Sequence, residues 1–130
     1  MAHNRAEGGP AWEAEVEELL ARCLGMPGAM EDYPFGPDVT VFKVAGKMFA
    51  LLLDAETPRL TLKCDPHLAL ALRERFPAVG PGYHSNKRHW NTIDLNGSIP
   101  ENELLEMIDH SYQLVAGRLT KAEHATLHPR

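Results

Sequence analysis

Cysteine is scarce in this 130-residue chain: Cys23 and Cys64 lie far apart and form no Cys-x-x-Cys pair. That excludes a disulfide-stapled scaffold and fits reduced thiols in a cytoplasm, the expected location. Long hydrophobic runs are missing too. The longest, Met48–Leu53, has six residues, against the roughly 20 of a membrane-spanning helix, so no membrane partner is expected. The opening MAHNRAEGGP has no basic start followed by an apolar stretch, and no secretory leader is expected. Positive charge is in deficit, with 13 Lys and Arg against 18 Asp and Glu, a net charge of -5 and a pI near 5.8. A globally basic coat protein for nucleic acid is thereby excluded, and binding to a polyanion would need a local basic patch. No glycine-rich phosphate loop, HExxH or GxSxG motif occurs. Neither repeats nor low-complexity tracts are present. What remains is 44% hydrophobic and 24% charged, enough to bury one core in one domain.

Periodicity outlines the elements. Residues 1–10 read as a loose tail. From Trp12 to Leu24 the apolar residues Trp12, Val16, Leu19, Leu20, Cys23 and Leu24 recur at steps of three and four, a helical stripe. Gly25 and Pro27 end it. Glu31–Asp38 is a turn-rich connector. VTVFKVA (Val39–Ala45) and KMFALLL (Lys47–Leu53) read as a hairpin about Gly46, and RLTLK (Arg59–Lys63) as a third strand, with Leu60 and Leu62 opposite Arg59, Thr61 and Lys63. Asp65-Pro66 opens a second helix to about Phe76, offering Leu68, Ala69, Leu72 and Phe76 inward. Ala78–Ser85 is extended, Asn86–His89 a turn, and WNTIDL (Trp90–Leu95) a strand with Asn91, Ile93 and Leu95 on one face. Ser98-Ile-Pro-Glu101 fits a capping box before a last helix with the stripe Leu104, Leu105, Ile108, Tyr112, Val115 and Leu119. The domain spans residues 11–121, with residues 122–130 frayed. The order α-β-β-β-α-(β)-β-α predicts an α+β two-layer sandwich, an antiparallel sheet with helices on one face.

The segments YPFGPDVTVFKVAGKMFALL (Tyr33–Leu52), RLTLKCDP (Arg59–Pro66) and GYHSNKRHWNTIDL (Gly82–Leu95) resemble the MmcQ/YjbR family of small bacterial proteins. The similarity covers about residues 13–120. Its distinctive parts are Pro34-Phe35-Gly36, Lys63-Cys64 and Asn86-Lys87-x-His89-Trp90-Asn91, and Ser85 stands where members commonly carry Met. The resemblance implies a fold like that of the bacterial frataxin homologue CyaY or of type III secretion chaperones. It also implies non-enzymatic DNA binding through a "double wing" of hairpins, with no reaction attached.

Charge is unevenly spread. Residues 33–95 hold eight Lys and Arg against six Asp and Glu, a net +2, while residues 1–32 hold two against seven. On the double-wing reading, Lys47 at one tip and Asn86, Lys87, Arg88 and His89 at another straddle double-stranded DNA, with Arg59, Lys63 and Asn91 extending the patch. Two readings of Lys87, Arg88 and His89 stay open, contact with an anion or a structural turn. The alternative function is a binding module for a protein partner or a small anionic ligand. Cys64 and His67 supply neither a zinc set nor a nucleophile with its base, so no catalytic residue, metal or cofactor is expected. Frataxin-type proteins hold iron on acids of the first helix, but Glu13, Glu17, Glu31 and Asp32 read here as a solvated face. Tyr33-Pro34-Phe35-Gly36 reads as a plug between the first helix and the sheet.

Overall fold

The structure, a computed structural model, describes residues 11–82 and 86–127, and the side chains of residues 15 onward. Helix α1 (Ala11–Leu24) is followed by strands β1 (Ala29–Asp32), β2 (Val39–Val44), β3 (Lys47–Leu53) and β4 (Arg59–Lys63). Then come α2 (Pro66–Arg75), β5 (Val79–Pro81), β6 (Trp90–Asp94), α3 (Glu101–Ala116) and α4 (Lys121–Ala125). All strand pairs are antiparallel, in the order β1-β2-β3-β4-β6-β5. This is the α+β architecture that the alternation predicts.

Side-chain alternation decides what each face carries. Leu60 and Leu62 on β4 and Asn91 and Ile93 on β6 turn toward the helices, where they meet Leu72, Leu104 and Ile108 in one buried core. Helix α1 contributes Val16, Leu19 and Cys23 to that core, while Leu24 is exposed. Between β2 and β3 the turn Ala45-Gly46 has positive φ at both residues, 50° and 77°, the type I′ geometry that matches strand twist. The register skips Phe49, since Phe42 faces Ala50 while Lys43 faces Met48. Phe49 is therefore the extra residue of a β-bulge, and its ring joins the core.

Five expectations need correction. The connector begins as strand β1, whose pairing with β2 the sequence hides because only Ala29 packs inward. The Tyr33-Phe35 plug does not form: Phe35 is 66% exposed and Tyr33 lies on the surface with its hydroxyl on Glu31 Oε1. Leu68 of α2 is exposed rather than inward. Ser98 caps nothing, since its hydroxyl and N–H both donate to Asn96 Oδ1 and α3 starts later, at Glu101 behind Pro100. Finally, the chain does not fray at Lys121. Thr120 and Glu123 form a reciprocal capping box for α4, and just past its end Leu127 is buried beside Gly28.

Candidate nucleic-acid interface

Antiparallel pairing fixes which strand ends lie together. β2 finishes and β3 starts at the Ala45-Gly46 turn, Lys63 at the end of β4 faces Trp90 at the start of β6, and Cys64 N–H donates to His89 O at 2.7 Å. Lys47, Lys63 and the Asn86–His89 turn therefore occupy the same end of the sheet. Lys47, Lys87 and Arg88 are exposed, and Lys63 and His89 half-buried. Arg118, just after α3, joins them. Burial, and then repulsion from Arg118, hold the Lys63 ammonium below the usual lysine range. Sequence reasoning missed Arg118 because 55 positions separate it from Lys63, and only the packing of α3 across the sheet brings them near.

The Asn86–His89 turn is built from within. Asn86 Oδ1 accepts from Arg88 N–H at 2.9 Å, and Asn86 O from His89 N–H at 3.2 Å, so Asn86 acts as a turn former. At its base, Gly82 N–H donates to Trp90 O at 2.8 Å. A Cβ on Gly82 would lie 2.7 Å from the Trp90 Cβ, which is why glycine closes the chain there. Arg73 of α2 braces the turn from behind. Its Nε donates to Asn91 Oδ1 at 2.7 Å, and its Nη2 to the carbonyls of Lys87 and Trp90. Asn91 is 2% exposed and also donates to Ala69 O. Its side chain joins sheet to helix and is withheld from any phosphate or base edge.

Other cations are neutralised. Arg59 sits at the opposite end of β4, 3.3 Å from Asp94, and Lys43 is paired with Asp32 at 2.8 Å. Lys47 makes no ion pair among the described residues but lies near enough to Glu123 to help lower its carboxyl pKa, after the Thr120 backbone N–H. Tyr83, His84 and Ser85 fall outside the described residues.

Two clefts flank α2. One, of about 350 Å³, separates it from α3 over a floor of Leu62, Cys64, Asn91 and Ile93, with the Arg75–Glu103 pair at 3.0 Å joining the two helices. The other, of about 420 Å³, lies between α2 and the Asn86–His89 turn. Cys64 is buried, and burial above all pushes its thiol up to about 11 and that of Cys23 to about 12. Both thiols are expected to react with iodoacetamide at pH 7.5 about a hundredfold or more slowly than free cysteine. Mass spectrometry of the native protein checks this, and labelling at the free-thiol rate would refute it. His67 opens α2 with an exposed side chain, and among the described residues no three His, Cys, Asp or Glu side chains gather as a metal set.

A YjbR family model matches residues 24–114. The chain belongs to the YjbR family. It is 34% identical over 113 residues to the uncharacterised YjbR of Escherichia coli K12, covering 86% of this chain and 96% of that one. It is 37% identical over 116 residues to the uncharacterised YbdF of E. coli O157:H7, covering 88% and 93%. A Deinococcus radiodurans crystal structure with the DUF419 domain superposes with a TM-score of 0.81 at 38% identity over 88% of each chain. A Pseudomonas syringae crystal structure gives 0.67 at 30% identity, over 75% of this chain and 96% of that one. The YjbR match takes in Lys47, Lys63 and the Asn86–His89 turn, whereas Arg118 and α4 lie beyond it. Among the described residues, no helix is long and apolar enough to cross a membrane.

Proposed function

We propose that this YjbR-family protein binds double-stranded DNA without catalysis, in the cytoplasm, through the sheet end that carries Lys47, Lys63, Lys87 and Arg88. One observation carries the reading. Topology gathers these four cations at one end, and among the described residues none of them lies within ion-pair distance of a carboxylate, whereas Arg59 at the opposite end is paired with Asp94 and Lys43, beside the Ala45-Gly46 turn, with Asp32. Arg118 reinforces the field at that end. The contacts are to phosphate, so affinity depends on salt and little on sequence. His89 stands beside the cations, Asn86 shapes the turn, and Arg59 and Asn91 drop out of the contact set.

Fluorescence anisotropy with a short duplex tests this. The double variant Lys87→Ala, Arg88→Ala is expected to lose about tenfold or more in affinity at low salt, with the slope of log K against log salt falling by about two. Arg59→Ala is expected to bind as wild type does. A double variant that retains full affinity overturns the assignment.

A further inference from the structure

We infer that the cleft between α2 and the Asn86–His89 turn is a binding site for a phosphate group. Pro66, His67, Leu70, Arg73, Lys87 and Arg88 line it. Three are permanent cations and one is an imidazole, and among the described lining residues there is no carboxylate. The cleft between α2 and α3 differs, for Glu103 and Glu106 line it beside Arg75. The nearby Asp65 carboxylate is engaged in capping, accepting from the N–H groups of His67 and Leu68.

Arg73 makes this cleft more than a group of surface cations. It is half-buried and held by bonds from Nε and Nη2 to Asn91, Lys87 and Trp90, every one a neutral oxygen. A partly desolvated guanidinium with no counter-charge among the described residues favours an anion at its open side. The same bonds fix Lys87 to α2, so Lys87 and Arg88 stand on a braced turn, and an incoming phosphate orders little that is not already ordered. Pro66 and Leu70, the latter 57% exposed, give the cleft an apolar wall. The chemistry is that of a phosphate ester, whether on a nucleic-acid strand or free. The inference shares Lys87 and Arg88 with the duplex reading but does not depend on it.

Nuclear magnetic resonance titration of the full chain with inorganic phosphate, against chloride at equal ionic strength, tests the site. Saturable shifts are expected at the amides of His67, Leu70, Lys87 and Arg88. Leu70→Glu places a carboxylate in the cleft from an exposed position and is expected to weaken phosphate binding about tenfold or more. Leu24→Glu makes the same charge change at an exposed position on α1 and is expected to leave it intact. The amide spectrum of each variant reports its fold. Shifts that never saturate, or equal effects of the two variants, overturn the proposal. Duplex binding by Leu70→Glu then tells the sources apart. A parallel loss places a strand phosphate in the cleft, and unchanged duplex affinity assigns the cleft to free phosphate esters. If duplex binding is absent in wild type while phosphate still saturates, the duplex reading fails and this one stands.

Discussion

Replacing Ser111 with alanine is expected to lower the unfolding free energy by about 2–4 kcal/mol, a fall of roughly 10 °C in the midpoint. Ser111 is fully buried on α3. Its hydroxyl accepts from Lys63 N–H at 2.9 Å and donates to Phe49 O at 2.5 Å. The β3–β4 pairing stops at Ala50 and Leu62, one residue short of Phe49 and Lys63, and there the one oxygen serves a group on each of the two strands. Alanine leaves a donor and an acceptor in a dry interior, where each loses its bond without regaining water. Denaturant unfolding measures the loss, and a change below about 0.5 kcal/mol would show that the two groups find other partners. Hydrogen exchange adds a local signature, since the Lys63 amide should exchange much faster in the variant while amides of β5 change little. Because Lys63 belongs to the proposed interface, the variant also tests whether that end of the sheet is rigid by construction.

The sequence made much of this legible, and the failures have physical causes. Strict alternation in RLTLK and WNTIDL placed Leu60, Leu62 and Ile93 inward, and Asp65-Pro66 marked the start of α2, because those signals are local. The same alternation put Asn91 on the helix-facing side, where it lies buried. Its nomination for DNA rested on residue type against that positional signal, and position decided. Strand β1 escaped notice because an edge strand with one inward residue has no period to read. The Ser98 box matched a pattern, but the Asn96 side chain took both Ser98 donors and Pro100 reset the helix start. Arg73 and Arg118 were invisible for another reason. Their roles arise from long-range packing of α2 behind the turn and of α3 across the sheet, which no window of neighbouring residues encodes.

Phe49→Ala is expected to be the costliest single truncation, about 3–5 kcal/mol. The ring is fully buried between the sheet and α3, edge-on to Tyr112 at 5.3 Å between centroids and tilted against Phe42 at 6.4 Å. Area burial and aromatic geometry both contribute, the latter about 0.5–1.5 kcal/mol. The upper part of the range is favoured because the neighbours have little freedom to collapse into the gap. Tyr112 is tethered through its hydroxyl to Pro27 O at 2.6 Å, and Phe49 O is held by Ser111. Phe49→Leu, which fills most of the volume, should cost about 1.5 kcal/mol or less. A loss below about 2 kcal/mol for the alanine variant would mean that the core repacks around the site. Since Phe49 is the bulged residue, its ring, its carbonyl and the Lys47 turn two residues earlier form one construction. A stability loss in Phe49→Ala should therefore come with faster exchange at Lys47 and Lys63, linking the core to the cations it positions.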